Sequence, residues 1–140
     1  MIWSLLTACL LFLFSDSTTP VNPTIEITVT GLTNTKGAVL LGAWDQNEGF
    51  LSEGTRIFGS SLPARRNAVT FTITELPPGR YAFSVLHDAD ENGRMTKSLL
   101  GWPVEDYGFS NNARGTFSAP DYADCAVKIS SDTTLAIAVK

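Results

Sequence analysis

Histidine and cysteine are almost missing from this chain. Its 140 residues include one His, His87, and two Cys, Cys9 and Cys125. One imidazole and two distant thiols are too few for a multi-histidine iron centre or a four-ligand zinc site. Clustered positive charge is missing too. Ten Lys and Arg face fourteen Asp and Glu, for a net charge of -4, and the one adjacent basic pair is Arg65-Arg66. Nucleic acid is bound largely by replacing its counterions with such clusters, so a nucleic-acid partner is excluded. The same deficit disfavours adsorption of the chain to an anionic membrane surface. No apolar run is long enough to span a bilayer, which takes about 20 residues. There is no internal repeat, no low-complexity segment and no convincing helical periodicity.

The longest apolar run, Ile2 to Phe14, is followed by the polar stretch SDSTTP. This reads as an export signal over residues 1–17, with small Ser15 and Ser17 at the -3 and -1 positions of a cleavage after Ser17. It lacks a positive charge after Met1, which a mis-called start codon explains. A buried N-terminal strand or helix is the competing reading. Leu6-Thr7-Ala8-Cys9 also resembles a lipoprotein box, and lipidation at Cys9 is the one route to membrane attachment that the chain as a whole offers. With the leader removed, Cys125 stands alone as a small apolar core residue and no intramolecular disulfide forms. The mature chain is one domain, residues 24–140, outside the cytoplasm: periplasmic or secreted.

What is abundant is period-two alternation. Ile25, Ile27 and Val29 alternate with Glu26, Thr28 and Thr30. Val69, Phe71 and Ile73 alternate with Thr70, Thr72 and Thr74; Tyr81, Phe83, Val85 and His87 share one side of the next run. Such stripes predict half-buried strands. Gly37 to Trp44 is more continuously apolar and predicts a strand covered on both faces. Tyr122 to Ile129 alternates loosely, and Leu135, Ile137 and Val139 close the series. Pro77-Pro78-Gly79 marks a sharp turn. Two stretches, 45–67 and 88–120, are irregular; the first is read as a crossing connection with one short strand or helical turn. The expectation is an all-β, antiparallel two-sheet sandwich of six or seven strands, with long irregular loops.

The chemistry-bearing pattern is Asp88-x-Asp90-x-Asn92-Gly93, the first half of a calcium loop. Hard oxygens at positions one, three and five converge because the glycine permits a tight bend. Arg94 offers a backbone carbonyl at seven, and Thr96 stands at nine. Position twelve is Leu99, where an EF-hand needs a bidentate Glu, and no helices flank the loop. A site here needs a carboxylate from elsewhere, with Glu105 or Asp106 nearest. An Asx-turn loop without metal uses the same residues. As a cation site its affinity is expected near 10⁻⁴ to 10⁻³ M.

His87 with a neighbouring acid and a hydroxyl, Ser84 or Ser110, is the raw material of a small hydrolase. That reading requires an accessible ring. Trp102, Tyr107, Phe109 and Phe117, with Asn111 and Asn112, either line a ligand cleft or pack the loop onto the sheet.

Two stretches carry a resemblance: LPPGRYAFSVLHDADENG (Leu76 to Gly93) and LGWPVEDYGFSNNA (Leu100 to Ala113). They resemble the secreted domain-of-unknown-function family twenty-one forty-one. Its pattern runs PPG-x-Y-A, then HD-x-N-x-NG, then G-x-P-x-E-x-YGFSNN. The family often has Asn at the position of Asp90 and an acid at that of Thr96, so the balance of negative charge is shifted rather than lost. The resemblance implies an exported β-sandwich over Ile25 to Lys140, with no catalytic residues to carry over. More distantly the chain is similar to prealbumin-like and carboxypeptidase-regulatory sandwich modules, mostly accessory or binding domains. Enzymes on related sandwiches use several His, whereas this chain has one. The functional expectation is a binding or accessory protein for an unknown protein or small ligand, with Ca²⁺ as the one cofactor on offer. The alternatives are a hydrolase using His87 and a purely structural or interaction module.

Overall fold

The computed structural model describes residues 19–140. The leader, its cleavage after Ser17 and Cys9 lie outside the described residues.

The ten-residue strand formed by Gly79–Asp88 is the backbone of the larger sheet. Its partners are Ala38–Trp44, Tyr107–Phe109 and Val127–Ile129. In chain order the strands are β1 (Ile25–Thr30), β2 (Ala38–Trp44), β3 (Phe58–Pro63), β4 (Val69–Ile73), β5 (Gly79–Asp88), β6 (Tyr107–Phe109), β7 (Val127–Ile129) and β8 (Thr133–Ala138). One sheet has the order β4-β1-β8. The other runs β3-β2-β5-β6, with β7 also on β5.

The alternation produces this layering directly. Ile25, Ile27 and Val29 are buried, as are Val69, Phe71 and Ile73, and they meet Val39, Leu41, Phe83 and Val85 across one core. Glu26, Thr70 and Thr72 face water. The Pro77-Pro78-Gly79 turn is locked by Tyr81, whose hydroxyl donates to the Pro77 carbonyl at 2.6 Å. The ring folds back so far that a Cβ on residue 79 would sit 2.9 Å from the Tyr81 hydroxyl oxygen. A side chain at residue 79 would thus require the Tyr81 ring to shift at this corner, which resembles the tyrosine corner of other sandwiches.

A smaller cluster lies elsewhere on the large sheet: Ala82, Phe109 and Cys125, with Phe50, Leu51, Tyr107 and Tyr122 packed on it. Phe50 makes edge contacts with Trp44 at 5.6 Å and with Tyr122 at 5.8 Å between ring centres. The irregular stretch after β2 therefore packs over the sheet, and it also contributes a 3₁₀ turn at Glu53–Thr55 and the edge strand β3.

Three details differ from the sequence expectation. Among the described residues there are eight strands, because β6 forms inside the second irregular stretch. Pairing is not antiparallel throughout: β1 and β8 are parallel, from Ile25–Thr133 to Thr30–Ala138. Period-two alternation encodes which face is buried and is silent about strand direction. Tyr122–Cys125 is a helical turn, α1, and the strand begins only at Val127. A three-residue spacing places Tyr122 and Cys125 together in the small cluster, which an extended chain would not do.

Candidate metal centre

β5 ends by presenting two buried polar side chains, His87 and Asp88, to the loop that follows. The loop then folds around the Asp88 carboxylate. Oδ1 accepts the Asn92 N–H at 3.1 Å, and Oδ2 accepts the Gly93 N–H at 2.8 Å. The bend uses left-handed backbone at Glu91 (φ 57°) and Gly93 (φ 78°). Asp90 turns inward: its Oδ1 accepts the Asn92 N–H at 3.2 Å, and its Oδ2 accepts the Thr96 hydroxyl and Asn92 Nδ2, each at 3.1 Å. Asn92 closes an Asx-turn by accepting the Arg94 N–H at 2.9 Å.

The chain next makes a short hairpin. The Val104 N–H donates to the Thr96 carbonyl at 3.0 Å, the Ser98 N–H to Trp102 at 2.8 Å, and Lys97 bridges Pro103. This return brings Glu105 back to the start of the loop. Its Oε1 accepts the Ala89 N–H at 3.2 Å and its Oε2 the Thr96 N–H at 2.9 Å. Carboxylate oxygens of Asp88, Asp90 and Glu105 consequently lie within 4.8 Å of one another. Among the described residues, no Lys or Arg pairs with any of the three.

Of the six residues read as ligands, the structure brings Asp88, Asp90, Asn92, Thr96 and Glu105 into one hydrogen-bonded group. Arg94 is attached through its own N–H, and its side chain is exposed. Leu99, at the twelfth position, stands at the hairpin tip in full solvent. Asp106, the other acid considered, points elsewhere and fastens the β1–β2 turn: its Oδ2 accepts the Thr33 N–H at 3.0 Å and the Thr33 hydroxyl at 2.8 Å. What the sequence reading lacked was the hairpin that selects Glu105. Its signal is there in Ser98-x-x-Gly101 between Thr96 and Val104, a turn flanked by β-branched residues.

Two carboxyls are held below their ordinary range. For Asp90, desolvation pushes upward. Hydrogen bonds from the Asn92 N–H and the Thr96 hydroxyl are among those that outweigh it. For Asp106, desolvation again pushes upward and is outweighed by the two Thr33 donors and by His87. Both sites favour the ionised form.

His87 is 1% exposed. Its Nε2 lies 2.8 Å from the Lys36 carbonyl, which can only accept, so this nitrogen carries a proton. Nδ1 faces Asp106 Oδ2 at 3.6 Å. The ring bridges the first turn to the loop, and a hydrolase built on it has no exposed base.

The aromatic residues divide. Phe109 and Tyr107 pack in the small cluster, whereas Trp102 and Phe117 are exposed. Ser110, Asn111 and Asn112 are fasteners. Ser110 Oγ accepts the Phe83 N–H at 2.9 Å and donates to the Cys125 carbonyl. Asn111 Nδ2 donates to the Asp124 carbonyl at 3.0 Å, and Asn112 Oδ1 accepts the Ala138 N–H at 2.9 Å.

Neither a curated protein nor a solved structure is matched by the chain. A family model does match residues 27–137, and its description reads "Uncharacterized protein conserved in bacteria (DUF2141)". That span runs from β1 to β8 and includes both the acidic loop and the Gly-Phe-Ser-Asn-Asn fastener, so the chain belongs to this uncharacterised bacterial family.

Proposed function

We propose that the protein is an extracytoplasmic binding or accessory module whose Asp88–Glu105 loop takes up a weakly held Ca²⁺. One observation carries the reading: three carboxylates meet within 4.8 Å, and among the described residues no Lys or Arg pairs with them. Gathering like charges costs free energy, which the N–H and O–H donors offset in part and a cation would offset further. The oxygens are hard donors, which suits Ca²⁺ over softer metals. Asp88 and Glu105 each accept two N–H bonds and keep lone pairs free, since a carboxylate offers about four acceptor positions. For the Asn92 amide to offer its oxygen to an ion, Nδ2 would have to leave Asp90 and Thr96, and Oδ1 the Arg94 N–H. Thr96 and the Arg94 carbonyl complete the oxygen set.

The test is thermal unfolding in excess Ca²⁺, in Mg²⁺ and in chelator. At about 100 times the dissociation constant the stabilisation is about 2.7 kcal/mol. Glu105→Gln and Asp90→Asn preserve shape and remove charge, so each should abolish most of the Ca²⁺-dependent rise in Tm. A wild-type curve indifferent to Ca²⁺ sinks the proposal and leaves the loop as an Asx-turn structure held by its own hydrogen bonds.

A further inference from the structure

Asn92 is the chain's one asparagine followed by glycine. In such a pair the backbone nitrogen of the second residue can attack the side-chain carbon of the first, and glycine leaves that nitrogen unhindered and its backbone free to turn. Asn22 precedes Pro, which has no N–H, and the remaining asparagines precede residues with side chains. Asn92 and Gly93 are both exposed, and a Cβ built on Gly93 would meet nothing within 4 Å. Water reaches the pair, and packing around Gly93 leaves room.

Hydrogen bonds are what stand in the way. The Gly93 N–H, the nucleophile, donates to Asp88 Oδ2 at 2.8 Å. Asp88 is 2% exposed and is the last residue of β5, so this anchor belongs to the sheet rather than to the loop. The Asn92 side-chain amide is held at both ends. Its Nδ2 donates to Thr96 Oγ1 at 3.0 Å and to Asp90 Oδ2 at 3.1 Å, and its Oδ1 accepts the Arg94 N–H at 2.9 Å. Ring closure needs the Gly93 nitrogen turned from Asp88 toward Asn92 Cγ, and the amide released from its three partners. Reaction therefore waits on local opening of the loop.

We propose that Asn92-Gly93 is a self-modification site held shut by Asp88. When the loop opens, the Gly93 nitrogen bonds to Asn92 Cγ. The proton that nitrogen gives up and the Nδ2 amino group leave together as ammonia, and a succinimide ring remains. Water then opens the ring at one of two bonds. Cleavage of the new bond leaves aspartate at position 92. Cleavage of the original peptide bond leaves isoaspartate, with the main chain rerouted through the side-chain carbon. No oxidant, reductant or enzyme takes part. Either product adds a carboxylate to the loop that already gathers Asp88, Asp90 and Glu105, and the change is one-way. The inference does not rest on cation uptake by that loop.

The experiment incubates the full chain at mildly alkaline pH in chelator. Mass spectrometry follows the tryptic peptide Tyr81–Arg94, whose single asparagine is Asn92, with fragment ions placing the change at that residue. A hydrogen bond to a charged group slows a step that must break it by about tenfold to a hundredfold, so the native wild type should convert at least about tenfold more slowly than the same chain in urea. Asp88→Ala, checked for a native circular dichroism spectrum, should recover about tenfold or more of that loss. If it does not fold, Asp88→Asn takes its place: it keeps the shape and one acceptor oxygen, and it should convert faster than the wild type. Equal rates for native and urea-treated wild type overturn the proposal. A folded Asp88 variant no faster than the wild type also overturns it and assigns the protection to the fold at large. A slower variant overturns it too, since Asp88 would then be a base that draws off the Gly93 proton.

Discussion

Ser110 shows how single residues hold this structure together. One hydroxyl satisfies the Phe83 N–H and reaches the Cys125 carbonyl, so β5 and the end of α1 are joined through a fully buried atom. Cys125 beside it is likewise fully buried. Burial, then the negative charges of Asp124 and Asp121, push its thiol up to about 11 from 9.0. The fold thus prefers the neutral thiol. A group whose folded value is raised adds stability that is complete below the unfolded value and is lost as pH climbs through the folded one. In a Cys9→Ser background, the urea midpoint of the protein should fall relative to that of its Cys125→Ala derivative between pH 9 and 11. Below pH 9 the difference should be flat. A thiol reagent at neutral pH should react only as fast as the protein opens. Rapid labelling of the native state would show that Cys125 is reached without unfolding.

At the scale of elements, the position of β6 depends on a missing side chain. A Cβ on Gly108 would meet the Ala138 carbonyl oxygen at 2.7 Å and Ile137 Cγ2 at 2.9 Å. Here the obstacle is backbone and a buried branched side chain, neither of which can swing away. Gly108→Ala should therefore destabilise the protein by about 1–3 kcal/mol, the usual cost of overpacking, measured by urea denaturation. A neutral result would mean that β6 and β8 can separate freely. The stripes of β1, β4 and β5 were legible because burial on one face imposes a period that sequence displays. The Tyr-Gly-Phe-Ser-Asn-Asn run was legible only as something unusual. Its roles are contacts with β8, Phe83 and α1, partners distant in the chain that no local pattern names. The acidic loop stood between these cases. Asp88, Asp90 and Asn92 were readable from their own spacing, whereas Glu105 became a member only through the hairpin that brings it back. His87 looked like chemistry in isolation, and its burial against Lys36 follows from where the first turn crosses β5.

For the whole molecule, the decisive pairing joins the first strand to the last. β8 lies parallel to β1 over six residues and supplies Ile137 to the main core, with Val139 just beyond it. It also accepts the Arg114 guanidinium at the Ala138 carbonyl, at 3.2 Å, and donates the Ala138 N–H to Asn112. Beyond it, Lys140 exchanges backbone hydrogen bonds with Tyr107, at 3.1 and 3.2 Å, which ties the segment to β6 in the other sheet. One terminal segment thus closes the three-stranded sheet and clips it to the larger one. A chain ending at Asp132 exposes the whole hydrogen-bonding edge of β1 and removes two buried side chains at once. It should show no cooperative thermal transition by circular dichroism and should aggregate through the bare edge. The intact chain should unfold in one step, because neither sheet keeps its core without the other. If the truncated chain instead melted cooperatively near the intact value, β1 and β4 would be held by the core alone and the parallel pair would be an accessory to the fold.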